Sequence, residues 1–111
     1  MMASSKFKQS KIFGLSEILS NMEIRNSYFD TFLSSRSTAI GVIRLKPGEN
    51  DDQQPHSSDE VYYVIEGSGL INIEEKDYVV RQGNFILVPA EIVHRFHENK
   101  DTLIVLYIFL N

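Results

Sequence analysis

The chain predicts an all-β fold, a closed barrel or jelly roll with one short helix ahead of it. β-prone runs of strand length recur from residue 28 to the end, roughly eight or nine of them. Every connection between them is short, and almost no stretch has helical periodicity. The last run, residues 102–110, is apolar on both faces when read with a period of two.

The elements follow in order. Residues 1–11 read as a flexible tail of Ser and Lys, and residues 12–111 as a single domain, since 111 residues suffice for one modest core. Residues 16–22 form a short helix with Ser16 as N-cap, Glu17 in the first turn and Leu15, Ile18, Leu19 and Met22 on one side, plugging one end of the barrel. Strands are predicted at 28–34 and 38–46, turning at 34–37, and Pro47-Gly48 suits the centre of a type II turn. An acidic loop over 49–54 follows, and Pro55 biases Gln54 towards an extended backbone. Residues 60–65 and 68–74 suggest a hairpin across Gly67-Ser68-Gly69, with further strands at 77–80, 85–88, 95–98 and 102–110.

Composition narrows the partners. The net charge is −4, and the basic cluster Lys6, Lys8 and Lys11 lies in the tail, so the folded part is acidic and nucleic acid is not an expected partner. With no cysteine, any metal must bind through nitrogen and oxygen. The apolar stretch from Ile12 to Leu15 is too short for a signal-peptide core or a membrane span, which predicts a cytoplasmic protein. In the last run, Leu103, Val105, Tyr107 and Phe109 share one face and Ile104, Leu106, Ile108 and Leu110 the other. One face fills the barrel. The other needs a cover, either a second copy in a homodimer or the amino-terminal segment, and the dimer is the expectation.

Chemistry concentrates in two stretches. His56-Ser57-Ser58-Asp59-Glu60 sets an imidazole and a carboxylate just ahead of a β-prone run closed by Gly67, and the strand at 85–88 is followed by Pro89-Ala90 and then His94. An extended chain would hold the α-carbons of His56 and Glu60 about 13 Å apart, so the turn-forming residues 57–59 must bend it if both are to reach one ion. Past His94, alternation keeps Phe96 on its face and turns Arg95 and His97 away. Tyr62 and Val64 share the face of Glu60, which makes Tyr62 either a cavity-lining acid or a core tyrosine with a hydrogen-bonded hydroxyl. Arg44 either pairs a substrate carboxylate or makes an exposed salt bridge.

Gly48, Gln54, His56, Glu60 and Gly67 fall on the first motif of a known pattern, with glutamine in its first histidine slot. Gly83, Pro89, Glu91, His94 and Glu98 fall on the second, with Glu91 in a glycine slot and Glu98 in an asparagine slot. On these residues the stretch from Tyr28 to Leu110 resembles a small single-domain cupin. The resemblance implies a jelly-roll barrel holding one divalent transition metal, Fe, Mn, Ni, Co or Zn, on His56, Glu60 and His94. Gln54 is then either a fourth ligand or a residue that satisfies loop backbone. Two histidines and a carboxylate with open positions match the set used by non-haem iron oxygenases. The implied function is a metal-dependent enzyme of dioxygenase, isomerase or lyase type acting on a small organic molecule. A non-catalytic small-molecule sensor and a barrel whose metal site has decayed stay open beside it.

Overall fold

The computed structural model describes residues 7–110. Of the tail expected over 1–11, residues 1–6 lie outside the described residues, and residues 7–11 carry no regular secondary structure. One helix, α1 (Leu15–Ile24), precedes eight strands: β1 (Phe29–Ser34), β2 (Thr38–Leu45), β3 (Asp59–Glu66), β4 (Ser68–Ile73), β5 (Lys76–Arg81), β6 (Phe85–Val88), β7 (His94–His97) and β8 (Leu103–Leu110). A five-stranded sheet, in the order β1-β2-β8-β3-β6, faces a three-stranded sheet, β5-β4-β7, and all pairings are antiparallel. Their inner faces enclose one core that includes Ile43, Leu45, Tyr62, Val64, Ile71 and Phe96. This is a jelly-roll arrangement, although the strand ladder does not run continuously from one sheet into the other.

The expected hairpin between residues 60–65 and 68–74 does not form: β3 and β4 lie in different sheets. A single residue, Gly67, separates them, fewer than the two that the tightest common hairpin loops use. Gly67 has φ +89°, and a Cβ there would stand 2.4 Å from the carbonyl oxygen of Thr102. The chain therefore turns a corner from one sheet to the other. The true hairpin joins β4 to β5 through Glu74 and Glu75, with φ of 49° and 67°, the positive pair that a type I′ turn requires. Pro47-Gly48 makes the expected type II turn, with Gly48 at φ +84° and the Glu49 N–H donating to the Lys46 carbonyl at 3.0 Å.

Helix α1 begins one residue before the expected start. Gly14, not Ser16, is its N-cap, and no side chain caps it. Its end is a Schellman turn: Asn26 is left-handed at φ 52°, and the Asn26 and Ser27 N–H groups donate to the Glu23 and Met22 carbonyls. The helix does not plug an end of the barrel. Ile18 and Met22 pack with Val42 and Ile104 on the outer face of β2 and β8, and Arg44 and Lys46 both pair with Glu23 there. Arg44 thus serves a salt bridge and points away from the interior. Because the helix covers only the Ile104 end of the outer face, apolar residues remain uncovered farther along β8, β3 and β6. Phe85 and Leu87 are 74% and 63% exposed, beside Val61, Tyr63, Leu106 and Ile108.

Candidate metal centre

Alternation along β3 sends Glu60, Tyr62 and Val64 inward and leaves Asp59, Val61 and Tyr63 on the outer side. Glu60 is 1% exposed. The chain bends at Ser57 and Ser58, as the spacing demanded, and returns the His56 imidazole to the same place: its Nε2 lies 3.8 Å from Glu60 Oε1. His94 arrives from the opposite sheet at the start of β7, buried at 3% exposure. Its Nε2 lies 3.0 Å from the same Glu60 oxygen. One candidate ligand atom from each of the three residues falls within 4.8 Å of the others.

Two staples bring the loop before β7 to the loop before β3. The Glu91 N–H donates to the His56 carbonyl at 2.7 Å, and the Ala90 N–H donates to Asp59 Oδ1 at 2.9 Å. Glu91 itself is left-handed at φ 68°, and so is Glu98 at 56°. These are the slots in which the resembled pattern has glycine and asparagine, the residues best suited to that conformation. Glu91→Gly keeps the backbone staple and relieves the strain. It is expected to stabilise the fold by about 1 kcal/mol, read as an upward shift of the urea midpoint at unchanged slope.

The hydrogen-bond inventory fits a cation. The His94 Nδ1–H donates to the Ile92 carbonyl at 2.8 Å, which leaves Nε2 as a lone pair when the ring is neutral. That lone pair faces a carboxylate oxygen and the Tyr62 hydroxyl, 2.9 Å away. Tyr62 has one proton for two acceptors, His94 Nε2 and Gln53 Oε1, each at 2.9 Å. Glu60 Oε2 is buried with no hydrogen-bond partner among the described residues. One proton on His94 would satisfy only part of this set, whereas a divalent ion takes imidazole nitrogen and carboxylate oxygen together. Burial opposes charging His94, but the bond to Glu60 and the Ile92 carbonyl outweigh it and hold the imidazole above its ordinary pKa. Burial, reinforced by Glu60, pushes the Tyr62 phenol well up, so it stays protonated as a donor.

Of the residues singled out in the sequence, His56, Glu60, His94 and Tyr62 come together, and Gln54 stays apart. Gln54 is exposed, with no hydrogen bond to the cluster among the described residues. Its neighbour Gln53 is the amide that reaches in: Oε1 accepts from Tyr62 and lies 3.4 Å from His56 Nε2. The Gln53 amide nitrogen donates at 2.6 Å to the buried carboxylate of Asp51, which also accepts the Phe96 N–H at 2.8 Å. Neither Gln53 nor Asp51 stood out in the sequence. The motif slot two residues before His56 pointed to Gln54 instead, and no sequence signal marked its neighbour. His97 lies on the outer side of β7, where its Nε2 is 2.8 Å from Asp77 Oδ1.

A cavity of about 280 Å³ opens beside His56 and Glu60. Phe109, packed against the His56 ring at 4.6 Å between centroids, forms part of its wall. Beside Phe109 the wall continues as a row across three strands, with Thr31 on β1 aligned to Gly41 on β2 and Gly41 to Tyr107 on β8. A Cβ on Gly41 would fall 2.2 Å from the Tyr107 ring, so the glycine lets the ring lie across β2 and hydrogen-bond Thr31. Tyr62 does not line this cavity; it stands behind the ligand cluster.

Residues 41–110 match the family model for the cupin domain. The chain belongs to the cupin family. An uncharacterized protein of Streptomyces coelicolor is 33% identical to this cupin over 99 residues, 89% of this chain and 94% of that one. Acireductone dioxygenase 4 of Oryza sativa is 37% identical over 46 residues, which are 37% of this chain but only 25% of the rice protein. Among solved structures, an RmlC-like cupin with a double-stranded β-helix fold from Methanocaldococcus jannaschii superposes with a TM-score of 0.69 at 19% identity, over 74% of this chain and 77% of that one. That likeness shows the shared fold. Among the described residues, no helix of this cupin is long and apolar enough to cross a membrane.

Proposed function

We propose that this cupin is a metal-dependent enzyme that binds one divalent transition metal and acts on a small organic molecule in the cavity beside it. The convergence of the His94 Nε2 lone pair, the buried Glu60 carboxylate and His56 carries this reading. When bound, the metal would act as a Lewis acid towards a substrate oxygen or as a site for dioxygen. His56, Glu60 and His94 would hold it. Tyr62 would be a positioning residue, donating its one proton to Gln53 Oε1 while it packs against the His94 ring and keeps the imidazole in place. Phe109 and the Thr31–Tyr107 row would orient the substrate and exclude water. The partial likenesses to an acireductone dioxygenase and to a dimethylsulfoniopropionate lyase support oxygen or lyase chemistry. Elemental analysis of protein purified without added metal tests the centre. About one equivalent per chain is expected, and none would leave a decayed barrel.

Gln53, rather than Gln54, would help to hold the metal, through its carbonyl oxygen directly or through a water. Asp51 fixes the flip of the amide by accepting from its nitrogen. Gln53→Ala is expected to weaken Co(II) binding by about 10-fold, as loss of an outer hydrogen-bonding partner does, while Gln54→Ala leaves it unchanged. The reverse order in calorimetric titrations would return the role to Gln54.

The uncovered apolar face of β8, β3 and β6 is the proposed homodimer interface, since in water it would be a contiguous patch of aromatic and aliphatic side chains. Leu106→Asp places an unpaired charge in its middle and is expected to give monomer or aggregate, with the wild type dimeric. A wild-type monomer at micromolar concentration in light scattering would contradict the assignment.

A further inference from the structure

Resting on the metal reading above, we infer that the ligand of this cavity is an oxygen chelator that carries a single negative charge when bound and has an otherwise uncharged body. The charges around the site lead to this class. A divalent ion held by one carboxylate, Glu60, and two neutral imidazoles keeps one net positive charge. A chelator with one negative charge cancels it. Among the described residues, nothing else on the cavity wall can neutralise a second anionic group: no lysine or arginine lines it, and Asp52 adds a carboxylate. Asp51, buried just behind Gln53, adds another acidic group on that side. The basic residues nearest in sequence are committed elsewhere, Arg44 and Lys46 to Glu23 on the outer side of the sheet and Arg25 to Asp30.

The remaining wall suits an apolar body with at most a neutral polar group. Phe29, Ile43 and Phe109 supply apolar surface, and the hydroxyls of Tyr28, Thr31 and Tyr107 supply hydrogen bonds without charge. At about 280 Å³ the cavity lies at the low end for small-molecule sites, enough for a compact ligand. Phosphorylated compounds and dicarboxylates are excluded on charge, because a second anion would meet Asp52 at close range with no counter-ion.

A matched pair of hydroxypyrones tests this. Kojic acid and comenic acid chelate through the same hydroxyl and ketone, and they differ by a hydroxymethyl group against a carboxylate at one ring position. Each is titrated calorimetrically into the Co(II)-loaded protein, and loading is checked first by elemental analysis. Kojic acid is expected to bind about 10-fold tighter or better, the scale on which like-charge juxtaposition discriminates. Asp52→Lys, at an exposed position, should shrink or reverse that ratio by raising the affinity for comenic acid. Equal or tighter binding of comenic acid by the loaded wild type overturns this inference alone, as does a ratio that Asp52→Lys leaves unmoved. A protein that takes up no cobalt overturns the metal reading and the inference with it.

Discussion

His94→Ala is expected to reduce metal affinity by at least about 100-fold, beyond the 10- to 100-fold typical of losing an outer partner, while His97→Ala changes it little. His94 contributes the lone pair that faces Glu60 at 3.0 Å inside the barrel, whereas His97 faces Asp77 on the other side of the same strand. Metal titrations of the two variants check the assignment, and equal losses would break it. The same residue sets a pH dependence. In the metal-free protein the His94 pKa is raised, so the stability that this group contributes is present in full below its unfolded value of about 6.5 and fades as pH rises through the folded value. Metal needs the neutral ring and binds better as pH rises through that same range. The gap in melting temperature between loaded and metal-free protein should therefore widen from below pH 6.5 upward. A gap that narrows would show that His94 is not a ligand.

Gly67→Ala is expected to cost about 3 kcal/mol, from adding the penalty of a left-handed side chain to that of an overpacked backbone contact. The methyl would stand 2.4 Å from the Thr102 carbonyl oxygen and 3.2 Å from the Leu103 α-carbon, both backbone atoms that no rotamer change can move. Gly48→Ala is the control. Gly48 is equally left-handed at φ +84°, but nothing lies within 4 Å of its missing Cβ, so only the conformational part should be lost, about 1 kcal/mol. Urea unfolding of the two variants separates strain from crowding. Equal losses would mean that the corner at Gly67 yields to the methyl group.

The sequence by itself determined the strands and the faces they present. Period-two alternation needs only the local chain, and it placed Glu60 with Tyr62 and Val64, His94 with Phe96, and His97 opposite, as the structure has them. It also carried the family, because glycines at left-handed turns and ligands at strand ends recur at fixed spacings. The need for a bend over 57–59 likewise followed from the reach of an extended chain.

The tertiary structure alone decided which strands pair and what covers what. Whether Gly67 closes a hairpin or turns between sheets depends on the Thr102 backbone, which lies far along the chain. The cover over Ile104 was a matter of where α1 docks, and a pattern of apolar residues does not name its partner. The loop at 51–56 was the least legible, since no periodicity constrains an irregular segment. There the choice between two adjacent glutamines fell to Asp51 and Tyr62, which hold the Gln53 amide from both ends through bonds that only the folded chain can make.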